Sequence, residues 1–244
     1  MTWASRMKLT VGVIVVVALV AIFTVVFTQR QSEVVSSSAS IQAQRYEVGT
    51  EYSGDVIKQN VRVGDAVKAG DTLFEVRSST VAEALSTDPA RFASSGSYTV
   101  SPDGTMSFVA TGDGTVSKVG AQVGTFVPNG TVLATIDRAG SLFVESDYRL
   151  TPRDYERIER GARVGLMLPD RTTIPGTVDR VTVQTVNGVA RTRIRVVSDR
   201  LREGARGGLI APGTPIEATL SLRQDGIFAG AQDAVLAFLK KIGL

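Results

Sequence analysis

The chain has 244 residues, 43% of them hydrophobic, with 24 Gly, 8 Pro, no Cys and no His. That length supports one large or two modest domains with a real core. The missing Cys and His exclude thiol nucleophiles, Ser-His-Asp triads, imidazole bases, disulfides and any His or Cys ligand for zinc, copper or haem.

Charge divides unevenly along the chain. Lys+Arg is 27 against 24 Asp+Glu, with an isoelectric point near 9.3. Arg6, Lys8 and Arg30 lie in the first thirty residues, where there is no acid; without these three the count is 24 against 24. A neutral body offers no global electrostatic footprint for nucleic acid. Leu9 to Phe27 is 19 residues without a charge, roughly 28 Å as a helix and close to the hydrocarbon thickness of a bilayer. The run predicts an uncleaved single-pass anchor. A cleaved signal is the alternative, with Ser38-Ala39-Ser40 and Ile41-Gln42-Ala43 as distant cleavage sites. Arg6 and Lys8 favour a cytoplasmic N-terminus, which places everything after Arg30 outside the cytoplasmic membrane. Gln29 to Ala39 follows as a polar tether.

Between Tyr46 and Leu222 the pattern is one of short Val-rich strands punctuated by Gly, Pro, Asp and Asn. Its main feature is a repeat. Residues 54–76 (GDVIKQNVRVGDAVKAGDTLFEV) align without a gap on residues 114–136 (GTVSKVGAQVGTFVPNGTVLATI), with eight of 23 positions identical. The shared glycines are Gly54/Gly114, Gly64/Gly124 and Gly70/Gly130, expected at turns; Val56/Val116, Val63/Val123, Val67/Val127 and Leu73/Leu133 fall in apolar positions. Two copies of one half-motif predict a pseudo-twofold β-sandwich in which each half covers the other's apolar face. The connector from Arg77 to Ala110 predicts two helical turns at Ser79–Ser86, then a hairpin of Tyr98–Val100 with Thr105–Val109 across Ser101-Pro102-Asp103-Gly104.

Further along, Thr151 can cap a helix, Pro152 suits its first turn, and Gly161 is expected to stop it. Asn187-Gly188 predicts a two-residue hairpin between Val178–Val186 and Val189–Val196. That turn pairs Val186 with Val189, Gln184 with Arg191, Thr182 with Arg193 and Arg180 with Arg195. One face then carries Arg180, Arg191, Arg193 and Arg195; the other carries Val181, Val183, Thr192, Ile194 and Val196 as barrel interior. The arginine face is either solvated and answered by neighbouring acids, or a contact with a partner protein, an adjacent copy or lipid headgroups. From Gly226 to Ile242 the apolar residues Ile227, Phe228, Ala231, Val235, Phe238, Leu239 and Ile242 recur at helical spacing. This amphipathic helix packs either on its own domain or on the membrane or a membrane partner.

Other chemistries find little support. Asp55, Asp65, Asp71, Asp103 and Asp113 sit beside glycines as ordinary turn residues. No P-loop, dinucleotide fingerprint or EF-hand spacing occurs. The residues predict no catalytic, cofactor-binding or metal site.

Gly-x-Val followed by Val61-x-Val63-Gly64-Asp65-x-Val67-x-x-Gly70-Asp71-x-Leu73 resembles one half of a biotinyl/lipoyl-like domain, and Gly114 to Leu133 resembles the other. Carriers of that family present a modifiable lysine between the halves, and Arg77 to Ala110 contains none; Lys58 and Lys118 fall inside the repeats. The resemblance is therefore to the non-carrier relatives, the HlyD-like periplasmic adaptor or membrane fusion proteins, without their long helical hairpin. Phe143-Val144-Glu145, Gly161-Ala162-Arg163-Val164 and Pro212-Gly213-Thr214-Pro215-Ile216-Glu217-Ala218 are similar to that family's barrel pattern.

The resemblance implies a mainly β chain in this order: cytoplasmic tail and anchor 1–30, linker and membrane-proximal strand 31–47, lipoyl-like domain 48–137 with a short insertion 77–110, β-barrel 138–223, and C-terminal helix 224–244. It implies a non-enzymatic, cofactor-free adaptor that oligomerises, typically as a hexamer. Such an adaptor couples a cytoplasmic-membrane transporter, an ABC exporter of the MacB type being the first candidate, to an extracytoplasmic path. A structural envelope protein reusing the same modules is the alternative, and an anchored peptidoglycan hydrolase a third that lacks any carboxylate pair.

Overall fold

The computed structural model describes residues 33–87, 96–186 and 189–223, together with Gly12, and no side chain for 152, 153, 184–186, 189 and 190. The expected anchor at 9–27 and the expected helix at 226–242 lie outside these residues. Among the described residues, no helix is long and apolar enough to cross a membrane. The chain forms two compact units. One takes Ile41–Phe143 with Arg202–Gly213; the other takes Val144–Leu201 with the described residues before Ile41 and after Gly213.

Strands β1 (Glu33–Val35) and β2 (Ser38–Gln42) come first, followed by the strands of the sandwich: β3 (Arg45–Gly49), β4 (Gly54–Gln59), β5 (Ala66–Val67) and β6 (Thr72–Arg77). Helix α1 (Ser79–Thr87) and the hairpin β7 (Tyr98–Val100) and β8 (Thr105–Val109) make the connector, and β9 (Gly114–Val119), β10 (Phe126–Val127) and β11 (Val132–Arg138) repeat the first half. Two sheets result, ordered β10-β4-β6-β8-β7 and β3-β11-β9-β5. The exchange is reciprocal: β5 of the first half pairs with β9 of the second, and β10 of the second pairs with β4 of the first. Alternation along β4 and β9 buries Val56 and Val116, and β6 and β11 bury Leu73, Val76, Leu133 and Ile136. Removing each such side chain from water stabilises the fold by roughly 1.5–3 kcal/mol.

The repeat is visible bond for bond. Gly64 N donates to Val116 O at 2.8 Å, and Gly124 N donates to Val56 O at 2.8 Å. Val116 N donates to Asp65 O at 2.9 Å, and Val56 N to Thr125 O at 3.0 Å. Gly64 and Gly124 have φ of 94° and 84°, a left-handed turn conformation that glycine adopts without steric cost. Gly70 and Gly130 lie at 90° and 77°. Gly54 and Gly114 differ from the turn positions expected of them. They open β4 and β9, buried, where a Cβ would stand 2.4 Å from Arg77 O and 2.3 Å from Asp137 O. Their glycine is required by close approach of two backbones.

The second unit contains β12 (Phe143–Tyr148), α2 (Pro152–Glu156), β13 (Arg163–Met167), β14 (Thr173–Val186), β15 (Val189–Val197) and β16 (Pro215–Ser221). The order β16-β13-β14-β15-β12-β2 closes through a β16–β2 pairing, a six-stranded barrel. The same edge of β16 also receives β1, with Val34 opposite Leu220. Val144, Tyr148, Val164, Leu166, Ile174, Ile194, Val196, Ala218 and Leu220 are buried. The Tyr148 hydroxyl donates to Ala218 O at 3.2 Å, and burial pushes its pKa up to about 12, with Ser146 acting in the opposite direction.

Helix α2 is shorter than the Thr151–Gly161 pattern suggests. Thr151 caps it as expected, accepting from Asp154 N, but it ends at Glu156 with Arg157 as C-cap. Beyond that point Ile158 is the lone large apolar residue before the turn, so no stripe exists to hold further turns against a core. Gly161, at φ 77°, instead turns the chain into β13.

Candidate functional site

The connector is the position where a carrier domain would display its lysine. Here it is built from α1 and the β7–β8 hairpin, with Tyr98 against Phe108 at 5.6 Å between ring centroids and Val81 buried beneath. Gly104, at the hairpin turn, packs so closely that a Cβ would meet Ala82 Cβ at 2.6 Å and Ser78 O at 2.7 Å. Asp103 accepts from the Thr105 hydroxyl and amide, which hold its carboxyl below the ordinary value. Lys58 lies on β4, 3.0 Å from Glu75, and Lys118 lies on β9. Among its described residues Val81, Tyr98, Met106 and Phe108 pack into the sandwich core, and the connector sequence contains no lysine. Among the described residues, no group of three or more acids is placed to hold a metal ion.

The β14–β15 hairpin has the register that Asn187-Gly188 predicts: Val186 opposite Val189, Gln184 opposite Arg191, Thr182 opposite Arg193 and Arg180 opposite Arg195. The inner face departs from expectation at one residue. Thr192, Ile194 and Val196 are buried, but Val183 is 44% exposed. β12 pairs with β15 only over Thr192–Val196, and β13 pairs with β14 only over Thr173–Thr177. The hairpin outruns both neighbours, and Val183 stands on the overhang.

On the arginine face, Arg193 Nε lies 2.8 Å from Glu145 Oε1 and 2.9 Å from Asp147 Oδ1, both on β12. The Asp147 hydrogen bond raises the guanidinium pKa further. Arg195 lies 3.6 Å from Asp179. Arg180 and Arg191 are exposed and make no ion pair with a described residue. The acids that answer Arg193 alternate with Val144, Ser146 and Tyr148 along β12; that period-two pattern is a signal the sequence carries.

A bulge on β14 had no such signal. Register shifts between Val178 and Arg180, so Asp179 faces no residue of β15. Beside the bulge is a cleft of about 620 Å³, lined by Tyr155, Glu156, Ile158, Arg160 and Val178–Val181. Tyr155 is 46% exposed in its wall.

No protein-family model matches the chain, and no curated protein matches it in sequence. Solved structures do share its fold. ZneB from Cupriavidus metallidurans is similar with a TM-score of 0.60 at 18% identity, over 79% of this chain and 99% of that one. MacA from Actinobacillus actinomycetemcomitans gives 0.61 at 16% identity, over 79% of both chains. The membrane fusion protein Spr0693 from Streptococcus pneumoniae R6 gives 0.50 at 17% identity, over 78% and 99%. Interlocked lipoyl-like halves joined by a lysine-free connector, with a six-stranded barrel after them, give this chain the fold of the membrane fusion, or periplasmic adaptor, proteins.

Proposed function

We propose that the chain is a membrane-anchored adaptor subunit of an export complex, coupling a cytoplasmic-membrane transporter to an extracytoplasmic path. The observation that supports this reading is the lipoyl-like sandwich whose halves are joined by a lysine-free connector, its described residues Val81, Tyr98, Met106 and Phe108 packed in the core. The single-pass anchor at Leu9–Phe27, cytoplasmic N-terminus and extracytoplasmic body belong to the same reading, as do the segments 1–30, 31–47, 48–137, 138–223 and 224–244 as its parts. The transporter is an ABC exporter of the MacB type, and the adaptor works as a ring, six copies being the expected number. Of the arginine face, Arg193 and Arg195 are answered within their own barrel, so Arg191 and Arg180, at separate points along the hairpin, are the groups that meet acids of a neighbouring copy.

The test is affinity purification of the full chain from its native membrane. Recovery of a polytopic ATPase or permease in stoichiometric amount supports the adaptor. Recovery of envelope structural proteins alone returns the module to a scaffolding role.

A further inference from the structure

We propose that Glu33–Ser37 is a releasable strap, which unpeels from the barrel by local opening while β2 and the other barrel strands stay folded. Its release lets out chain between the barrel and whatever precedes residue 33. The inference concerns the barrel alone and does not depend on the export role.

The strap and β2 run along one edge of β16, but not in one register. Val35 lies opposite Thr219, and Ala39 lies opposite Ile216. Ser36, Ser37 and Ser38 therefore oppose only Glu217 and Ala218, one residue too many, and the strap carries a bulge there. At the bulge the chain changes partners. Ser36 N donates to Ala218 O at 2.8 Å, on β16, whereas Ser37 N donates to Asp147 O at 2.8 Å, on β12. A ladder already interrupted at that point can open on one side and keep its register on the other.

The two sides are held by different means. β2 stands between β12 and β16 and buries Ala39 and Ile41. Among the described residues, Glu33–Ser37 buries no side chain, and β1 has β16 as its one neighbouring strand. Its hold is a short row of hydrogen bonds that water can replace. Release also spares the interior. Ala218 O accepts a second bond, from the buried Tyr148 hydroxyl at 3.2 Å, so the carbonyl beneath the strap keeps a partner when Ser36 leaves. A segment with few buried apolar contacts opens at lower cost than the core it lies on. Five residues let out roughly 16 Å of chain.

Hydrogen exchange of the full chain in detergent tests this. The Ser36 and Ser37 amides, corrected for intrinsic rates, should exchange at least about a hundredfold faster than those of 164–167, which pair on both sides. The strap rates should also stay flat in low urea, where a local opening exposes little surface, while rates over 164–167 rise. Equal rates, or equal urea dependence, overturn the proposal, because the strap would then open only with the whole barrel. The absence of native cysteine allows a lock as the second arm: Val35→Cys with Thr219→Cys, at directly opposed positions. An intramolecular disulfide is expected by mass and non-reducing electrophoresis. Once it is formed, Ser36 and Ser37 should slow to within about tenfold of 164–167, and reduction should restore the fast rates. Strap exchange as fast with the disulfide as without it overturns the proposal. So does a disulfide that fails to form, or that forms only between copies, in a barrel whose 164–167 amides remain protected.

Discussion

Asp65 and Thr125 close the same corner of the two repeated halves with different side chains. Asp65 Oδ2 accepts from Arg62 N at 2.7 Å; Thr125 Oγ1 accepts from Gln122 N at 3.3 Å and donates to Gln122 O at 2.6 Å. Both also pass a backbone carbonyl across to the opposite half. The corner requires a short oxygen acceptor, and either residue supplies one. Thr125→Asp should therefore change stability by less than about 0.5 kcal/mol, whereas Asp65→Ala, which strands the Arg62 amide, should cost about 1 kcal/mol. Urea titrations of the two variants check this; equal losses would mean that the corner is indifferent to its oxygen.

The repeated glycines separate into two mechanisms with different costs. At Gly64 a Cβ meets nothing within 4 Å, so Gly64→Ala costs only the left-handed conformation, about 1–2 kcal/mol. At Gly54 the Cβ collides with a carbonyl of β6, and Gly54→Ala should cost about 2–3 kcal/mol or more as the strands separate. Gly114→Ala should match Gly54→Ala. Melting temperatures falling in the reverse order would refute the distinction.

Tyr148 couples the barrel to alkaline pH. Its folded pKa, about 12 against 10.0, means that the folded chain keeps the proton longer than the unfolded chain. That contribution is complete below pH 10 and is lost as pH rises from about 10 to 12, about 3 kcal/mol in all. Tyr148→Phe should flatten stability across this window while losing about 1 kcal/mol at neutral pH with the Ala218 hydrogen bond. A variant as pH-sensitive as the parent would show that another group dominates.

The arginines should divide by their partners. Arg193→Glu places a third carboxylate against Glu145 and Asp147 and should destabilise the barrel itself, by about 1–2 kcal/mol. Arg191→Glu has no such neighbour among the described residues. It should leave the melt unchanged while lowering the mass of the assembled complex measured by light scattering at low salt. An unchanged mass would return that face to solvent.

How much of this was legible depends on the range of each signal. The Asn-Gly turn predicts four cross-strand pairs correctly because a two-residue loop and a period of two leave register no freedom. The connector's hairpin lies where Ser101-Pro102-Asp103-Gly104 puts it, and α1 where its short apolar pattern does. The bulge at Asp179, the exposure of Val183 and the cleft were not legible. The bulge is a register shift between β14 and β15, and the exposure of Val183 and the cleft follow from where β13 stops pairing, tertiary facts with no local mark. Gly54 and Gly114 look like turn glycines in sequence because a glycine needed for close approach and one needed for positive φ are the same letter.

The reciprocal exchange of β5 and β10 also sets a clock. Val56 cannot make its bond to Thr125, nor Val67 reach Gly114, until the ribosome has added the second half. At about 5–20 residues per second that wait is about 3–12 s. The barrel waits longer, because Val34, among the first residues described, pairs with Leu220, near the last. Throughout synthesis, therefore, the nascent chain exposes unpaired Val-rich strands, and a cell producing it must keep those strands apart from one another until the final ones arrive.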